Sequence, residues 1–119
     1  MPVFGKRSKR NLSTCHSLLQ VVAHEAIKEF DFTVICGLRN KVEQDKAFEG
    51  KFSKVQFPNS RHNRSLLLNR YDISDAFDIC PYPIDWNDLE RFKQLSVIIK
   101  RIAKEKNIPI TSSTEFFLQ

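Results

Sequence analysis

The sequence predicts a small α+β domain in which two long helices pack on a short antiparallel sheet. Two separate stretches repeat apolar residues every three or four positions, and short β-branched runs lie between them. Of the 119 residues, 41% are hydrophobic and ten are phenylalanine, enough for one core. Residues 1–119 are therefore expected to form a single domain.

The first helix is expected from the stripe Leu12, Cys15, Leu19, Val22, Ala23, Ala26, Ile27 and Phe30, with Asn11 or Ser13 as its cap. Phe32-Thr33-Val34-Ile35-Cys36 reads as a buried strand that ends at Gly37. Asn40 then offers a cap for a short helix through Val42, Glu43, Gln44, Ala47 and Phe48, with Gly50 as its stop. Residues 51–74 keep no period and read as loop with short extended pieces.

Ala76 to Cys80 resume a strand that Pro81 and Pro83 end, since proline cannot donate to a sheet ladder. Asp85, with Asp88 three positions on, marks the start of the second long helix. Its stripe is Leu89, Phe92, Leu95, Ser96, Ile99, Ile102 and Ala103, and Lys100, Arg101, Lys104 and Lys106 complement the negative C-terminal end. Ile108 to Thr111 form a last edge strand, after which residues 112–119 are expected to add no element.

A net charge of +5 and a pI near 9.3 favour polyanionic surroundings: nucleic acid, an anionic membrane face or an acidic cell-wall polymer. The cluster Lys6-Arg7-Ser8-Lys9-Arg10 reads as a solvated basic arm, and no nucleic-acid-reading motif accompanies it, so nucleic acid is not expected as a partner. Apolar runs are too short for a transmembrane segment, and no signal-peptide pattern opens the chain. Cys15, Cys36 and Cys80 are odd in number and never spaced as Cys-x-x-Cys, which reads as buried reduced thiols.

The residues that carry chemistry are His62, within Asn59-Ser60-Arg61-His62-Asn63, and Asp78, which closes Asp75-Ala76-Phe77-Asp78 before Pro81-Tyr82-Pro83-Ile84-Asp85-Trp86. An imidazole and a carboxylate are suitable ligands for a catalytic zinc ion, which takes three protein ligands and leaves a position open. With Phe4-Gly5-Lys6-Arg7-Ser8, Asp31 to Arg39 and Glu43-Gln44, these blocks resemble the M15 zinc peptidases, and among them the phage endolysins that cleave between L-alanine and D-glutamate in peptidoglycan. The resemblance runs from residue 4 to about residue 108.

It implies a Hedgehog/DD-peptidase-like fold, Zn2+ as cofactor, and the bacterial peptidoglycan peptide as partner of a monomer. His62 and Asp78 would hold the metal, Arg39 would face the substrate as catalytic and binding residue, and Gln44 and Ser60 would make polar substrate contacts. Synthesis in the host cytoplasm and action on the cell wall follow from the same resemblance.

Two departures accompany it. Asp78 lies sixteen positions after His62, a longer link than the family's, with Arg64 to Tyr71 as the extra stretch. That stretch, with Leu66-Leu67-Leu68 inside it, is either a tolerated loop insertion or a segment that perturbs the site. Beyond Ile108-Pro109-Ile110, family members continue with Trp-Gly-Gly-Asp-Trp and Pro-His-Phe type segments carrying the catalytic acid and the third zinc ligand. Neither is found here, so the domain is expected to be C-terminally truncated and inactive or incomplete, with Glu115 a weak substitute. The alternative is a non-catalytic module, derived from that fold, that binds cell-wall peptide or protein.

Overall fold

The computed structural model describes residues 2–112 and 116–119. Its elements run α1 Lys6–Ser13, α2 Ser17–Ala26, β1 Phe32–Cys36, α3 Lys41–Glu49, β2 Ala76–Pro81, α4 Leu89–Glu105, β3 Ile110–Ser112 and β4 Phe116–Leu118. The mixed α+β class expected from the sequence holds, with α2 and α4 packed together behind one antiparallel sheet.

The first long helix is in fact two. Lys6 to Arg10, expected as a solvated arm, begin α1, whose Ser8 hydroxyl accepts from the Val34 N–H and whose Leu12 is buried. The chain breaks at Thr14-Cys15-His16 because that segment bonds across the fold. The His16 N–H donates to the Ser74 carbonyl and the Ser74 N–H to the Thr14 carbonyl. The His16 side chain then caps α2 by accepting from the Leu18 N–H through Nδ1.

α3 starts where expected, in a reciprocal box: the Asn40 side chain accepts from the Glu43 N–H while the Glu43 carboxylate accepts from the Asn40 N–H. α4 starts three residues later than the Asp85 signal implied. Asp85 closes a turn by accepting from the Asn87 N–H, and Asp88 is the cap, accepting from the Arg91 N–H. Trp86 lies outside the helix and stacks on Phe92 at 5.8 Å.

The sheet order is β1-β2-β4-β3, with every neighbour antiparallel. β3 is the expected edge strand, but residues 116–118 do form an element: β4 lies inside the sheet, between β2 and β3. Between β1 and β2 the register runs Phe32↔Pro81, Thr33↔Cys80 and Val34↔Ile79, then shifts so that Cys36 pairs with Asp78. In a regular ladder Ile35 would face Asp78; the bulge puts Cys36 there instead.

Leu12, Leu19, Val22 and Ala26 meet Leu95, Ile99 and Ile102 over the inner face of the sheet, where Phe32, Val34, Phe77 and Leu118 complete the core. Residues 51–74 are turns and bends apart from the bridge between Ser65 and Arg70 and that of Ser74 to Cys15. Among the described residues no helix is long and apolar enough to cross a membrane.

Candidate metal centre

Three segments converge at the open end of β1 and β2. β1 brings Cys36, β2 brings Asp78, and the turn over residues 59–63 brings His62. That turn is tied internally: the His62 N–H donates to the Ser60 hydroxyl, the Ser60 N–H to the Asn63 side-chain oxygen, and the Asn63 N–H to the Ser60 carbonyl.

The turn is also fastened to the exit of β1. The Arg39 N–H donates to the His62 carbonyl at 2.7 Å, and the Asn63 amide donates to the Arg39 carbonyl at 3.0 Å. Gly37 lets the exit of β1 lie against the end of α1, since a Cβ there would meet the Asn11 carbonyl oxygen and the Thr14 hydroxyl at 2.3 Å each.

These bonds orient the imidazole. His62 is fully buried, and its Nδ1 lies 2.8 Å from the Gly37 carbonyl oxygen. A carbonyl can only accept, so Nδ1 carries a hydrogen and Nε2 is turned toward Asp78 Oδ1 at 3.4 Å. A backbone carbonyl holding the far nitrogen of a histidine is the usual support of a metal-ligating imidazole.

The extra stretch after His62 leaves this pair together. The Ser65 N–H donates to the Arg70 carbonyl and the Arg70 N–H to the Ser65 carbonyl, closing a small hairpin. The buried Asp75 carboxylate then accepts from the N–H groups of Leu66 and Leu67 through Oδ2. Residues 64–71 form a loop ahead of β2, and the chain enters the strand with Asp78 beside His62.

Arg39 stands over the pair, its Nη2 3.6 Å from Asp78 Oδ2 and 3.9 Å from Cys36 Sγ, while its Nη1 donates to Gln44 Oε1 at 2.8 Å. Gln44 corrects an expectation. It is fully buried, its oxygen accepts from Arg39 and Asn63, and its amide donates to the Ser53 hydroxyl and the Val55 carbonyl. With every hydrogen-bonding site used inside the protein, it positions Arg39 instead of contacting a substrate. Ser60 lines the groove beside the site while its hydroxyl oxygen supports the His62 turn.

Cys36 and Asn63 are the residues that sequence reasoning missed. Cys36 was expected as a buried thiol, yet it is partly accessible and its sulfur lies 3.8 Å from His62 Nδ1. One donor atom each from Cys36, His62 and Asp78 lie within 4.8 Å of one another. Thiolate, imidazole and carboxylate form a donor set that suits zinc. Cys15, by contrast, is buried, and desolvation pushes its thiol up to about 11. His16 and His24 lie elsewhere, one capping α2 and the other edge-on to Phe4, and Glu115 falls outside the described residues.

The centre opens on a groove of about 1060 Å³ whose wall carries Asp78, Arg39, Lys51, Lys54, Arg61 and Lys93, with Trp86, Phe92 and Phe116 as apolar surface. Among the described residues the cations there outnumber the acid, Asp78, so the groove favours an anionic guest.

Residues 2–116 match the sequence profile of the phage L-alanyl-D-glutamate peptidase family. The L-alanyl-D-glutamate peptidase of Escherichia phage T5 is 30% identical over 112 residues, which cover 90% of this chain and 76% of that protein. The L-Ala D-Glu endopeptidase ChiX of Serratia marcescens superposes with a TM-score of 0.76 at 25% identity, over 98% of this chain and 89% of its own. Profile, relative and fold agree: this chain belongs to the phage L-alanyl-D-glutamate peptidase family.

Proposed function

We propose that this protein is a zinc-dependent peptidoglycan peptidase that hydrolyses the link between L-alanine and D-glutamate, with Cys36, His62 and Asp78 as the metal ligands. The observation that carries this reading is the imidazole of His62, locked through Nδ1 on the Gly37 carbonyl so that Nε2 faces Asp78, with Cys36 across the ladder. Zinc held there would supply a Lewis acid for the amide carbonyl and lower the pKa of attacking water toward ~7.

The chain's own residues do the rest. The basic groove draws in the acidic stem peptide, and the aromatic wall of Trp86 and Phe92 packs on its apolar parts. Gln44 holds Arg39 Nη1, leaving Nη2 facing the site, where it can donate to a glutamate carboxylate or to the oxygen that gains charge as the amide carbonyl becomes tetrahedral.

The test is the metal content of the purified full chain together with release of new amino groups from purified peptidoglycan. Zinc near one per chain, with hydrolysis lost in His62→Ala and on chelation, is the expected result. A chain that takes up no zinc would sink the assignment.

A further inference from the structure

The loop between His62 and Asp78 carries three consecutive leucines on the surface. Leu66, Leu67 and Leu68 are 56%, 51% and 45% exposed, and Tyr71 beside them is 56% exposed. A soluble protein rarely shows such a cluster without a use for it.

Their exposure is built in. The N–H groups of Leu66 and Leu67 are turned inward to the buried Asp75 carboxylate, and the Leu68 N–H donates to the Ser65 hydroxyl. Ser65 and Arg70 close the hairpin from both sides, and Asn69 takes the left-handed conformation, φ 53°, that lets the chain reverse. The N–H groups of all three leucines are thus held from within, so their side chains stand outward on a braced scaffold.

The collar around the tip is cationic. Arg64 donates to the Tyr71 hydroxyl at 3.1 Å with its guanidinium 5.5 Å from that ring, and Arg70 stands at the hairpin base paired with Asp72. Arg61, by contrast, belongs to the wall of the groove, its guanidinium 4.2 Å from the Phe117 ring. An apolar tip, an amphipathic tyrosine and the Arg64 guanidinium, with Arg70 held on Asp72 until a lipid phosphate takes its place, match the layers of an anionic bilayer surface: acyl boundary, glycerol level and phosphates.

We propose that the 64–71 hairpin docks this protein on anionic lipid bilayers, with Leu66, Leu67 and Leu68 entering the acyl boundary and Arg64 and Arg70 meeting lipid phosphates. The charge around the tip commits to this occupant, since an apolar protein groove or a second copy of this cationic chain would not reward the arginines. Docking is independent of the peptidase reading, because none of these side chains touches Cys36, His62 or Asp78.

The test is sedimentation of the full chain with vesicles of phosphatidylglycerol and phosphatidylcholine, compared with phosphatidylcholine alone. Binding to the anionic vesicles is expected, weakening as salt rises. Arg64→Gln should lower it about fivefold, and Leu66→Ser, Leu67→Ser and Leu68→Ser combined should lower it about tenfold or more. Because the triple change removes surface side chains, its circular dichroism should match the parent.

A second variant, Leu67→Trp, should give blue-shifted fluorescence with anionic vesicles and none with phosphatidylcholine. Equal binding by parent and triple-serine protein, or an unshifted Trp spectrum, would overturn the proposal. So would an absence of vesicle binding coupled to a dimer that the serine changes dissolve, which would make the tip a contact between copies.

Discussion

His62 Nδ1 is 2.8 Å from the Gly37 carbonyl oxygen, so the loop that follows β1 sets the direction in which the histidine of another loop offers its second nitrogen. Ligand geometry here depends on backbone placed by Gly37 as much as on the ligands, and the consequences can be measured.

His62→Ala should lower zinc affinity more than about 100-fold, since even the loss of a group supporting a ligand costs about 10 to 100-fold. Isothermal titration with zinc at fixed pH checks this, and unchanged affinity would remove His62 from the centre.

Gly37→Ala should destabilise the fold by about 1–3 kcal/mol, because its new methyl would stand 2.3 Å from the Asn11 carbonyl oxygen and the Thr14 hydroxyl. Urea unfolding measures the loss. The same change displaces the Gly37 carbonyl, so zinc affinity should fall in the fraction that remains folded.

Gln44→Leu should cost about 1–3 kcal/mol, by leaving the Asn63 amide and Val55 carbonyl short of a buried partner. It should also free Arg39 and lower kcat on peptidoglycan more than it raises KM. A variant with full stability would mean that Gln44 is not the hub between Arg39 and the 59–63 turn.

Stability should decline at alkaline pH through Cys15. Burial raises its folded pKa from 9.0 to about 11, so above pH 9 the unfolded chain has released a proton that the folded chain still holds. Its contribution is therefore complete below pH 9 and is lost as pH rises toward 11, by at most about 1.4 kcal/mol per pH unit. Denaturation midpoints across that range should flatten in Cys15→Ala.

Much of this was readable from residues alone. The strands at 32–36 and 76–81, the Asn40 box and the α4 stripe follow local rules, whereas His62, Asp78 and Arg39 stood out through the resemblance of their blocks to a family. The break before α2 was hidden because Leu12, Cys15 and Leu19 all stay buried across it, so the period persists although the helix does not. Its cause, the pairing with Ser74, is some sixty residues away in sequence.

Cys36 was hidden for a related reason. Which β1 residue faces Asp78 depends on a bulge, and a bulge is a property of two paired strands that neither strand displays by itself. Gln44 was expected as a polar substrate contact from the resemblance alone; the convergence of Arg39, Asn63, Ser53 and Val55 on its buried amide is set by the fold and has no local signal.

The position of β4 also orders events during synthesis. Residues 116–118 pair with β2 on one side and β3 on the other, so the strand bearing Asp78 keeps an open edge until nearly all the preceding chain has emerged from the ribosome. That edge is exposed to wrong strand partners while residues 82–115 are being made. Closure of the sheet, and with it a fixed seat for Asp78, waits for β4.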